Sequence, residues 1–135
     1  MAEIQVSSVT IAAPNPRVLA EFYQRLLGWN VTALEGPPAD GPPEAGWAQL
    51  RSPSQGPGLL AINIEYDREF ARPVWPSQRG KQTVTTHLDI PVDDVEKAVA
   101  SAIEAGAVLA DYQPQQHVRV MLDPAGHPFC LFLDA

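Results

Sequence analysis

HLDIPVDDVEKAV, residues 87–99, changes its periodicity partway along, and that change decides the fold. Its start belongs to an alternating run, Val84–Ile90 (VTTHLDI), the pattern of a half-buried strand. After Pro91 the apolar residues recur at helical spacing, at Val95, Ala98, Val99, Ala102 and Ile103. Asp93 or Asp94 can cap that helix, Asp93 with Glu96 fitting a capping box, and Gly106 ends it. Three strand-like runs follow: Val108–Tyr112, His117–Leu122 and Phe129–Leu133. This half reads β-α-β-β-β.

The same order stands upstream. Gln5–Ala12 alternates as a strand, Asn15 can cap a helix, and Pro16 suits its first position because the missing N–H has no partner there anyway. Val18, Leu19, Phe22, Tyr23, Leu26 and Leu27 form the apolar stripe, and Gly28 stops it. Trp29–Leu34, Trp47–Arg51 and Leu59–Glu65 are the next strands, the first two separated by the loop EGPPADGPPEAG, residues 35–46. Ser8-Val9-Thr10-Ile11 falls over His87-Leu88-Asp89-Ile90, and the turn at Ser52-Pro53 over that at Asp123-Pro124. The Pro/Gly loop absorbs most of the difference in length. Internal duplication is the strongest architectural signal in the chain.

The expectation is an α+β fold of two pseudo-symmetric βαβββ modules within one domain: module one about 1–66, a connector about 67–82 and module two about 83–135. A helix covers one face of each sheet. The other faces should curve into one mixed sheet around a cleft, with the helices outside.

Composition narrows the functions. The chain has 135 residues, 45% apolar and 19% charged, a globular balance, with 14 prolines and a formal net charge of −7. The negative charge is spread over both halves, and no Lys/Arg cluster exists to neutralise phosphates, so nucleic acid and anionic membranes are not expected partners. A single cysteine, Cys130, excludes an internal disulfide framework and any multi-cysteine metal site. No phosphate-cradling Gly-rich motif occurs, and no apolar run is long enough for a membrane span. A cytoplasmic location is expected.

Among individual residues, His87 shares a strand face with Asp89 and could contact a ligand, transfer a proton or simply bond to a neighbour. Trp47, beside the long loop, and Trp75, in Pro73-Val74-Trp75-Pro76, offer broad faces on which a planar ligand can stack. Tyr23 lies in the helical stripe and reads as core. Arg119, alternating with His117 along a strand, could reach an acidic group. Asp123 and His127 suit the turn DPAGHP, and Cys130, between Phe129 and Leu131, reads as a small buried hydrophobe. No Ser/His/Asp triad can be argued, since Ser8 has no elbow turn.

Strand–Asn-Pro–helix ending in FYQRLLGW, then HLDIPVDDVEKAV, then VMLDPAGHPFCLFLD, resembles the vicinal oxygen chelate superfamily, in its glyoxalase-like branch. The superfamily includes glyoxalase, bleomycin-resistance proteins and ring-cleaving dioxygenases, and the resemblance covers essentially the whole chain. In metal-dependent members the first and last strand of each half supply a ligand, usually His, Gln or Glu. Here the first-strand positions are Ser8 and His87; aligning the turns through Gly56 and Gly126 puts the last-strand positions at about Leu60 and Cys130. Only His87 keeps a usual ligand type, so the resemblance implies the fold and argues against the metal. The expected function is that of a bleomycin-resistance-type binder: no cofactor, a small organic ligand, aromatic ones included, and His87, Ser8, Trp47, Trp75, Arg119 and Cys130 around it. One alternative is a lyase or dioxygenase of the glyoxalase type, with a divalent metal ion on His87. Another is a dimeric structural or regulatory module without a ligand. A homodimer is expected from the family and from the unprotected strand edges.

Overall fold

The computed structural model describes residues 2–54 and 60–134. Its contacts separate into two compact units, Met1–Phe70 and Ala71–Ala135. The first unit runs β1 (Ser8–Ala13), α1 (Pro16–Leu27), β2 (Asn30–Glu35), β3 (Trp47–Arg51) and β4 (Ala61–Tyr66). The second runs β5 (Leu88–Val92), α2 (Val95–Ala105), β6 (Val108–Leu109), β7 (Val118–Leu122) and β8 (Pro128–Leu133). The strand orders are β1-β4-β3-β2 and β5-β8-β7-β6, with the β1–β4 and β5–β8 pairs parallel and the rest antiparallel. Two open, mixed four-stranded sheets, each with one helix, make the protein α+β and a repeat of one module. No helix among the described residues is long and apolar enough to cross a membrane.

In the first unit α1 starts where its chemistry dictates. Asn15 Oδ1 accepts from the Val18 N–H at 3.3 Å, and Pro16 occupies the first helical position. Gly28, at φ +69°, takes the left-handed turn that ends the helix. Leu19, Phe22 and Tyr23 then meet Ile11, Ala48, Leu50 and Ile64 of the sheet, all buried. Phe22 and Tyr23 cross edge-on at 4.8 Å between ring centres, so Tyr23 is core as expected. Burying each such side chain is worth about 1.5–3 kcal/mol.

The second unit is built on the same plan with smaller parts. Asp94, not Asp93, caps α2: its Oδ1 accepts from Lys97 N–H at 3.1 Å, so no capping box forms with Glu96. The helix buries only Ala102 and Ala105, while Ile103 stays half exposed. The bulk of this core comes from the sheet, through Met121, Phe129 and Leu131. The strand expected from Val84 is confined to Leu88–Val92 and takes in Pro91. Pro91 is tolerated because β5 is an edge strand, paired only with β8, where a missing N–H costs little. The strand expected over Val108–Tyr112 is reduced to two residues, because Gln113 takes over the backbone beyond it. Its amide donates to the Ala110 and Val120 carbonyls at 2.7 and 2.9 Å and accepts from Val120 N–H at 2.8 Å. In the first unit the expected start of the last strand, Leu59, and the alignment turn at Gly56 lie outside the described residues.

Candidate functional site

Each helix covers one sheet face, and strand alternation sends the other residues to the open face. On the first sheet the register pairs Thr10 with Asn63, Asn63 with Gln49, and Trp47 with Glu65. Ser8, Thr10, Asn63, Glu65, Gln49 and Trp47 therefore share the open face. A polar chain crosses it: Gln49 Nε2 donates to Asn63 Oδ1 at 3.0 Å, and Asn63 Nδ2 donates to Ser8 Oγ at 3.1 Å. At its other end Gln49 Oε1 accepts from Thr32 Oγ1 at 3.0 Å and from Arg51 Nε at 3.3 Å. Thr32 reaches this face at the register shift between Val31 and Ala33.

Beside this chain lies a hollow of about 890 Å³, bounded by Thr10, Asn63 and Glu65 on the sheet and by Glu35, Pro37 and Trp47 at the loop. The Trp47 indole N–H donates to Glu35 Oε2, which fixes the ring at the wall of the groove. Arg17 holds the loop from the α1 side. Its Nη1 donates to Ala45 O and its Nη2 to Pro43 O, both at 2.6 Å. Gly46 closes the loop at φ +129° and its carbonyl accepts from Tyr66 N–H at 3.2 Å. The long Pro/Gly loop is thus pinned at one end as a wall of the groove.

On the second sheet the register pairs Asp89 with Cys130 and Cys130 with Val120. His87, Asp89 and Cys130 gather there, their ligand atoms all within 4.8 Å of one another. His87 Nε2 is 3.4 Å from Asp89 Oδ1. Burial pushes the Cys130 thiol up, and the Asp89 carboxylate, by its charge and its hydrogen bond, pushes it further in the same direction. The thiol is accordingly held protonated and is a poor nucleophile at neutral pH. Next to it, Trp75 and Val118 border a small hollow of about 170 Å³. Trp75 is anchored there by its indole N–H donating to Tyr112 O at 3.2 Å and by its ring against Tyr112.

The six expected site residues divide between the two units. Ser8 and Trp47 lie on the first sheet's open face, and His87 and Cys130 come together on the second, with Trp75 beside Cys130. Arg119 stands apart. It pairs with Leu131, on the face covered by α2, and borders a hollow with Asp93, Val99 and His117. Its guanidinium is occupied by backbone carbonyls, those of Gln115, Gln116 and Val118. One residue of offset along β7 accounts for this, since it sends the side chain to the opposite face. The last-strand position of module one also needs correction. With Ser8 over His87, the registers place Asn63 opposite Cys130 in the repeat, while Leu60 precedes β4. The alternation Ile62-Asn63-Ile64-Glu65 carried that signal; the turn alignment obscured it.

Whether a divalent ion fits can be judged from the donors. His87, Asp89 and Cys130 offer N, O and S, a set suited to a borderline-soft ion such as zinc, with a fourth position open. The corresponding positions of module one, Ser8 and Asn63, are neutral and bonded to each other. They provide no charged ligand. Among the described residues, His87, Asp89 and Cys130 of the second unit form the metal-compatible set.

The fold and these positions define a class, and the sequence comparison agrees: the glyoxalase-like domain family matches residues 8–132, so the chain belongs to that family. Among solved structures, it is similar over 96% of its length to 98% of a glyoxalase/bleomycin resistance protein/dioxygenase family enzyme from Burkholderia phytofirmans PsJN, with TM-score 0.65 and 18% identity. It is also similar to the fosfomycin resistance protein FosX from Mesorhizobium loti, with TM-score 0.63, 12% identity and coverage of 100% of this chain and 94% of that one. The antibiotic binding protein TnmS3 from Streptomyces sp. CB03234 matches at TM-score 0.52 and 18% identity, over 100% of this chain and 99% of that one. No curated protein sequence matches at a significant level.

Proposed function

We propose that this protein binds a small organic molecule, without a metal ion, on the open face of its first sheet. The groove beside Trp47 carries the reading. Its volume, about 890 Å³, lies within the range of small-molecule sites, and it joins an aromatic wall to a few hydrogen-bonding groups, Thr10 and Asn63 among them. The Trp47 ring would stack on a planar ligand, and the Asn63 amide would orient its polar edge. Binding here would run through direct contacts rather than a metal ion, by stacking on Trp47 and hydrogen bonds to Thr10 and Asn63. An antibiotic binding protein shares the fold, which supports binding as the mode of action.

Tryptophan fluorescence titrated with a panel of planar aromatic compounds tests this. Saturable quenching that disappears in Trp47→Phe supports the groove; quenching of equal size in the variant overturns it. A second reading rests on the cluster His87, Asp89 and Cys130: a divalent ion there would serve a glyoxalase-type lyase or dioxygenase, polarising a substrate oxygen. Stoichiometric zinc in the purified protein, lost in His87→Ala, would favour that reading over the metal-free one.

A further inference from the structure

We infer that the groove selects positively charged planar molecules, an inference that rests on the groove being the binding site. The sign of its lining carries the argument. Glu35 and Glu65 both border the hollow and both are exposed, and among the described residues no Lys, Arg or His lines it. A second hollow of about 410 Å³ shares Thr10, Glu65 and Tyr66 with the first and adds Asp67, whose Oδ1 accepts from the Glu69 N–H at 2.9 Å. The nearby arginines lie outside the lining: Arg17, on α1, donates to the Pro43 and Ala45 carbonyls and reaches the Glu35 carbonyl at 3.5 Å, and Arg51, at the end of β3, donates to Gln49. Arg68, beyond β4, is exposed and outside the lining of either hollow.

Glu35 has a double part. Its Oε2 takes the indole N–H of Trp47, which orients the ring and keeps the carboxylate at the ring's edge. A cation stacked on Trp47 would therefore meet the negative face of an indole and a carboxylate together, an arrangement that favours organic cations. Glu65, paired with Trp47 on the neighbouring strand, adds a second carboxylate beside the ring. A neutral ligand of the same shape would gain only the stacking. An anion would be repelled by every charge in the lining.

Three probes of one size separate the possibilities: proflavine as the planar cation, acridone as its neutral counterpart and acridine-9-carboxylate as the anion. Calorimetry and tryptophan quenching would follow each with the full-length protein. Proflavine should bind more tightly than acridone, and acridine-9-carboxylate should not bind. A unit-charge contact at about 4 Å in water is worth roughly a fivefold factor. Glu65→Gln should therefore weaken proflavine about fivefold, and Glu35→Gln, whose amide oxygen still accepts from Trp47, by a similar factor. Acridone should change less than twofold in either, and proflavine affinity should fall with added salt. Asp111→Asn, an exposed charge change in the second unit, should leave all three unchanged. Equal affinity for acridone and proflavine, both lost in Trp47→Phe and indifferent to the Glu variants, overturns the charge selection and leaves the groove intact. If no probe binds, or Trp47→Phe alters none of them, the groove reading fails and the inference falls with it.

Discussion

Gly46 ends the Pro/Gly loop where the chain turns into β3, and replacing it with alanine measures how tightly that loop is closed. Its φ of +129° is a conformation that L side chains rarely adopt, which costs an alanine about 1–3 kcal/mol. An added Cβ would also fall deep inside contact with the Glu35 carbonyl oxygen and 2.8 Å from Arg17 Nη1. Relief requires the backbone to move away, which strains the bond from Tyr66 N–H to Gly46 O, a loss of about 1 kcal/mol. The expected cost of Gly46→Ala is about 2–4 kcal/mol. Gly36, at the other end of the same loop, has open space around its Cβ position and no positive φ. Gly36→Ala should be neutral or stabilise by about 0.4–1 kcal/mol through the unfolded chain. Urea unfolding followed by fluorescence gives both values side by side. If Gly46→Ala loses no more stability than Gly36→Ala, the close approach to Glu35 does not exist in solution, and the groove loses its fixed wall.

Other expectations are more local. Leu50→Ala, in the fully buried centre of the first sheet, should cost about 2–5 kcal/mol in the same unfolding assay. Arg17→Met, which removes two 2.6 Å hydrogen bonds to loop carbonyls, should leave α1 intact while amide exchange quickens across 36–46. The raised Cys130 thiol should alkylate slowly with iodoacetamide at neutral pH, and Asp89→Asn should speed it by removing the carboxylate charge. The linkage runs one way: a thiol raised on folding stabilises fully below its unfolded value. Stability should therefore decline as pH climbs from the ordinary thiol range through the raised folded one, and Cys130→Ala should flatten that decline.

Much of the fold was legible because its signals are local. The Asn15-Pro16 start, the Gly28 and Gly106 stops, and the strand Trp47–Arg51 all follow from residues near one another in sequence. The misreadings share one cause, hydrogen-bond partners that periodicity does not reveal. Gln113 takes the backbone that would have extended β6, and the parallel pairing of β1 with β4 sets a register that no turn alignment can supply. For that reason Leu60 was aligned to the place that Asn63 holds, and Arg119 was set among residues of the other face. Their faces depend on which residue of a neighbouring strand each sits beside.

The amino-acid order by itself determined the duplicated β-α-β-β-β plan, the apolar faces and the family, because periodicity and end signals are properties of short stretches. It also placed His87 and Asp89 on one face. What needed the tertiary structure was the company these residues keep: Cys130 beside Asp89, Glu35 on the Trp47 indole, Asn63 between Gln49 and Ser8. Each of these joins strands through a register, and in a sheet a slip of one residue exchanges the two faces. The prolines divide along the same line. Pro16 was legible from its neighbours alone, whereas the loop from Glu35 to Gly46 became a groove wall only once Arg17, in an earlier helix, was seen to hold it.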